Sequence, residues 1–97
     1  MSRAADEFIA ALLALAPEAS ALSCETTPWC SATFAGERHR CLLRFPETGS
    51  ARRFSVSLPD HLFALPGWLV ADIEAAPPAG CDGNVRVSVE ALTIDDA

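Results

Sequence analysis

Two histidines, four cysteines and a group of closely spaced arginines are the side chains of this chain whose chemistry reaches beyond packing. The stretch HRCLLRF, residues 39–45, holds His39, Arg40, Cys41 and Arg44. A Cys/His pair works as nucleophile and base only when thiol and imidazole are within hydrogen-bond reach, in an open cleft, with a third group orienting the base. His39 and Cys41 are two residues apart, which on a strand puts them on one face but ~7 Å from each other. That spacing favours a buried structural histidine and thiol. His61 directly follows Asp60, and sequence neighbours rarely orient one another as base and carboxylate; a capped turn accounts for the pair. Asp72 and Glu74 alternate onto one side of a strand, too few oxygens for Ca2+, which takes about six to eight. Cys24, Cys30, Cys41 and Cys81 have five, ten and thirty-nine residues between them, a spacing unlike the C-x2-C of zinc sites. Four thiols allow three disulfide pairings in an oxidising compartment, but reduced, mostly buried thiols in a cytoplasmic protein are the simpler expectation.

The chain has no glycine-rich phosphate loop, G-x-S-x-G elbow or H-E-x-x-H, so no catalytic set, cofactor or metal is implied. An enzymatic or ligand-binding alternative would use a small-molecule or anion pocket between helix and sheet, lined by His39, Cys41 and His61.

The arginines are unevenly placed. The formal net charge is -6, yet residues 38–53 hold Arg38, Arg40, Arg44, Arg52 and Arg53 against the single acid Glu47, and lysine is absent. A pI near 4.6 opposes sequence-independent nucleic-acid binding, which rests on cations neutralising phosphates. The plainest reading of these arginines is a solvated face paired with acids from neighbouring strands. Next comes a contact face for an acidic protein or another copy, and third an anionic small-molecule or nucleic-acid site, since arginine forks suit phosphate as well as carboxylate.

The elements that must position these residues follow from the apolar pattern. Phe8, Ile9, Leu12, Leu13 and Leu15 form a stripe of helical period over residues 4–16. The run FIAALLALA followed by Ala19-Ser20-Ala21 has the look of a secretory leader, the lesser reading, but Asp6 and Glu7 oppose the positive charge that a leader carries. No apolar run approaches the ~20 residues of a membrane span. Beyond Thr26 the period becomes two. Gly36-Glu37 reads as a type II′ hairpin turn, which would set Trp29 opposite Arg44, Phe34 opposite His39 and Ala32 opposite Cys41. A six-residue loop over 46–51 then predicts a strand in RRFSVSL, with Phe54, Val56 and Leu58 inside and Arg53 opposite Arg44. Residues 59–67 are ambiguous between a helical turn and a short strand. WLVADIEA predicts a strand with Leu69, Ala71 and Ile73 on one side, and NVRVSVEALTI a last strand whose phase slips at Glu90-Ala91.

The expected architecture is a single α+β domain over residues 1–97, one amino-terminal helix packed on a mainly antiparallel sheet of about five strands. The last strand would lie at an edge, where few charges guard it against pairing with another copy. The expected function is that of a small acidic, non-catalytic protein acting through protein contacts, as a homodimer or accessory module. Its contact face would be Trp29, Arg40, Arg44 and Arg53, with Trp68 nearby.

Overall fold

The computed structural model describes residues 3–95. The chain runs α1 (Arg3–Leu15), β1 (Ser20–Cys30), β2 (Ala35–Phe45), α2 (Thr48–Ser57), a 3-10 turn (Leu58–Asp60), β3 (Trp68–Ala75), β4 (Ala79–Cys81) and β5 (Asn84–Asp95). All strand pairings are antiparallel, in the order β1-β2-β5-β3, with β4 folded back on β5. The architecture is therefore α+β, with helices on one face of the sheet only.

The helical stripe at the amino terminus is α1, and Ala4, Ala5, Phe8 and Leu12 are its buried residues. Pro17 lies just past its end, where a residue without an N–H and with fixed φ cannot continue a helix. Ser20 and Ala21, the cleavage-like residues, instead open β1. Among the described residues no helix is long and apolar enough to cross a membrane.

The first hairpin turns at Ser31–Phe34, not at Gly36-Glu37. Ser31 N–H donates to the Phe34 carbonyl at 2.8 Å, and Ser31 Oγ accepts from the Phe34 and Thr33 N–H groups at 3.1 and 3.3 Å. A serine hydroxyl thus supplies the turn that glycine was expected to supply. Gly36 has another task. Its φ is not positive, but a Cβ there would run into the carbonyl oxygen of Thr93 on β5. It permits close approach of two backbones within the sheet. The real register sets Cys30 opposite Ala35, Thr26 opposite His39 and Cys24 opposite Cys41. Because this differs from the expected register by an even number of residues, β2 keeps its inward and outward sides while every partner changes.

RRFSVSL is helix. Ala51, Phe54 and Leu58 are buried at i, i+3 and i+7, whereas Val56, expected inside, is 72% exposed. Phe54 packs on Phe45 with ring centroids 5.2 Å apart. The ladder this segment was expected to occupy belongs to β5, which pairs with β2 from Gly36↔Ile94 to Phe45↔Val85. With that edge filled, the local preference of Phe-Ser-Val for a strand is overridden by tertiary packing. Glu47 provides no side-chain cap to α2. The cap comes from the β4–β5 turn instead, where Asp82 Oδ1 accepts from Thr48 N–H at 2.8 Å and from Thr48 Oγ1–H at 2.7 Å. These bonds to the ionised form hold the Asp82 carboxyl below its usual range.

β5 is the centre of the sheet rather than an edge, and it has no bulge. Val85, Val87, Val89, Ala91 and Thr93 point inward in unbroken alternation and are all buried. The bulges fall instead on the two edge strands, between Ala21 and Ser23 in β1 and between Val70 and Asp72 in β3. The second makes Trp68, Val70, Ile73 and Ala75 the side packed on the core, so Leu69 and Ala71 do not share the side of Ile73. Residues 59–67 hold the end of the 3-10 turn and an isolated bridge from Leu65 to Trp68.

Candidate partner-binding face

The two faces of the sheet give the chemically active side chains opposite fates. On the inner face His39 is fully enclosed. Its Nδ1 lies 3.0 Å from Thr26 Oγ1 and its Nε2 lies 2.8 Å from Thr93 Oγ1, while Thr93 Oγ1–H donates to the Glu37 carbonyl at 3.4 Å. One arrangement satisfies every member: Thr26 donates to Nδ1, Nε2–H donates to Thr93, and Thr93 donates onward. The imidazole is then neutral, and burial lowers its pKa against the opposing pull of the Glu37 carboxylate. Phe8 lies over the ring at 5.4 Å, and Phe63 and His61 continue the contacts outward at 5.8 and 4.7 Å.

His39 and His61 are thus the two ends of an aromatic row, one sealed and one exposed, and do not line a common pocket. Cys41 is 1% exposed, and its thiol is pushed up in pKa by burial and by its contact with Cys24. Neither His39 nor Cys41 offers a wall to solvent. Among the described residues no three His, Cys, Asp or Glu side chains converge as a metal ion would require.

The outer face is open. Register places its side chains in rows across the sheet: Trp29, Gly36, Ile94 and Leu69 at the hairpin end; then Thr27, Arg38, Leu92 and Asp72; then Glu25, Arg40, Glu90 and Glu74. At the far end lie Ser20, Arg44, Arg86 and Ala79. Arg40 Nε donates to Glu90 Oε1 at 2.9 Å. Arg38, Arg44 and Arg86, and likewise Glu25, Asp72 and Glu74, make no ion pair among the described residues.

Of the residues nominated from sequence, Arg40 and Arg44 share this face, with Trp29 at its other end. Trp29 and Arg44 do not meet: Gly36, which Trp29 faces, lies eight residues from Arg44 along β2, roughly 26 Å at strand rise. A cation–π contact between them is excluded. Arg53 is on α2, beside Leu15 and Glu18 on the helical side of the molecule, and Trp68 packs on the core. The residue that stands opposite Arg44 is Arg86. Sequence reasoning missed Arg86 because a misassigned strand stood in β5's place. It missed Thr93 because a polar residue in an apolar stripe was read as a change of phase.

No protein-family model, curated protein or solved structure matches this chain.

Proposed function

We propose that this chain is a non-catalytic protein-contact module that associates with a second copy of itself through the open face of its sheet. The observation that carries the reading is Arg44 directly opposite Arg86 with no bonded acid. Like charges facing each other across a ladder destabilise a sheet, and a carboxylate from outside removes that cost. A second copy supplies one: the chain has net charge -6, and Glu25, Asp72 and Glu74 stand unpaired on the same face as the unpaired arginines. A face with free charges of both signs is complementary to its own two-fold mate. Bulges and Pro28 interrupt the edge strands, as in sheets that resist edge-to-edge pairing, which favours the face over the edges.

Mass by light scattering on a sizing column tests this at low and high salt. The expected result is a dimer at low ionic strength that dissociates near ~1 M salt, where the Debye length falls to ~3 Å. Arg44→Ala with Arg86→Ala should shift the low-salt protein to monomer without lowering its melting temperature. A wild-type monomer at both salts, or a double variant that still dimerises, would overturn the assignment.

A further inference from the structure

The inner face brings together two thiols that the spacing of the cysteines did not suggest. Cys24 and Cys41 are direct cross-strand partners on β1 and β2, both free, and both side chains belong to the core layer of the sheet. Directly opposed residues of an antiparallel pair have Cα atoms ~4.5–5.5 Å apart. A disulfide spans ~4.4–6.8 Å between Cα atoms. The backbone therefore already holds the pair at bridging distance, without movement of either strand. The other two cysteines have no such relation. Cys30 sits at the hairpin end opposite Ala35, and Cys81 at the far end opposite Asn84, about 36 Å away along the strands. Of the three pairings open to four cysteines, geometry leaves one intramolecular bridge.

We infer that Cys24 and Cys41 form a reversible redox disulfide, a modification site that locks edge strand β1 to β2 under peroxide. The half-buried Cys24 is the thiol a small oxidant reaches first, and the enclosed Cys41 is the resolving thiol. Cys24 sulfur attacks one peroxide oxygen, the O–O bond breaks, and the second oxygen takes the Cys24 thiol proton and leaves as water. Cys24 is now a sulfenic acid. Cys41 sulfur then attacks Cys24 sulfur, the S–O bond breaks, and the departing hydroxide takes the Cys41 proton to leave as a second water. Two thiols are oxidised to one disulfide and one peroxide is reduced to two waters. A dithiol reductant reverses the change by exchange. Burial, which holds the Cys41 proton on, makes the second step slow, so the bridge responds to sustained oxidant.

The test uses Cys30→Ser with Cys81→Ser, two exposed positions, so that only the inner pair remains. After hydrogen peroxide, both thiols should disappear together under denaturing titration, with the protein still a single covalent chain and its mass lower by two hydrogens. Trypsin after denaturation should release residues 41–44 joined to residues 4–38, separable by a dithiol, and the urea midpoint should rise relative to the reduced protein. In the wild-type chain the same link should form while Cys30 and Cys81 remain open to alkylation. Cys24→Ser in the double-serine background should abolish the bridge and leave Cys41 as a thiol. A mass gain of oxygen at Cys24 with Cys41 still reduced, or a bridge between chains through Cys24, would overturn the inference.

Discussion

One sheet presents two faces built from the same strands, and they solve the placement of polar groups in opposite ways. On the inner face His39 and Thr93 are closed off from water and, with the half-buried Thr26, bonded to one another with no spare donor. On the outer face charges of both signs lie in rows, most of them unbonded and all within reach of solvent. Burial explains the difference. An unpaired polar atom costs several kcal/mol, roughly 2–7, away from water and next to nothing in it, so order is obligatory inside and optional outside. The inner face is consequently where substitution should be felt in stability, and the outer face where it should be felt in association.

The largest effect expected is at the point where α1 seals the inner face. Phe8→Ala removes a fully buried ring that covers His39 and touches Phe63. It should cost about 3–5 kcal/mol, measured as the loss in unfolding free energy from the urea midpoint. A loss below about 1 kcal/mol would mean that the inner face is not sealed as described. Next comes Thr93→Val, which preserves shape but leaves the Nε2–H of His39 buried without an acceptor. About 1–3 kcal/mol should be lost. Thr26→Val should cost less, because its bond to Nδ1 is only partly buried. Equal losses at the two threonines would mean that the Thr26 bond is as enclosed as the Thr93 bond, against the burial described.

The pH dependence sharpens the same contrast. Burial lowers the pKa of His39, while in the unfolded chain it titrates near ~6.5. The unfolded state then binds the proton first as pH falls, so stability is complete above about pH 6.5 and declines below it until the folded protein is protonated too. His39→Gln should flatten that slope between neutral pH and pH 5. A slope unchanged by the substitution would assign it elsewhere.

How much of this was legible in the sequence depends on what each residue's pattern could encode. The helix of Phe8 and Leu12, and the inward set Val85, Val87 and Val89, were legible because periodicity is a local property of the chain. So were the two sides of β2, since alternation fixes parity whatever the partner. Partners were not legible, because register depends on where a hairpin turns. Gly36 looked like a turn for its conformational freedom, whereas it is required for its missing Cβ beneath Thr93. RRFSVSL satisfies a strand and a helix almost equally, since Phe54 and Leu58 are buried in both, and only Ala51 against Val56 separates them. The competition was decided by β5, about thirty residues later, taking the ladder beside β2. The candidate site inherited these errors. Arg40 and Arg44 were placed on the outer face correctly, Arg53 was assigned to it through the false strand, and Arg86 was absent from it for the same reason.

The smallest effect expected is at the Arg40–Glu90 ion pair of the outer face, and its smallness is informative. Arg40 and Glu90 are joined at 2.9 Å, yet their side chains are 64% and 43% exposed. In that setting the Coulomb attraction is screened by water and offset by the entropy of fixing two long side chains, so Arg40→Ala or Glu90→Ala should change stability by no more than ~0.5 kcal/mol. The two variants should nevertheless differ in association. Glu90→Ala frees a fourth cation in the middle of the face, beside the unpaired Arg38, Arg44 and Arg86, and Arg40→Ala leaves Glu90 beside the unpaired Glu25 and Glu74. If the face binds through its arginines, Glu90→Ala should retain or tighten the low-salt dimer and Arg40→Ala should weaken it, at nearly equal melting temperatures. Opposite shifts in mass with matched stability would separate contact from fold on this face; equal behaviour in both assays would reduce the outer charges to a solvated surface.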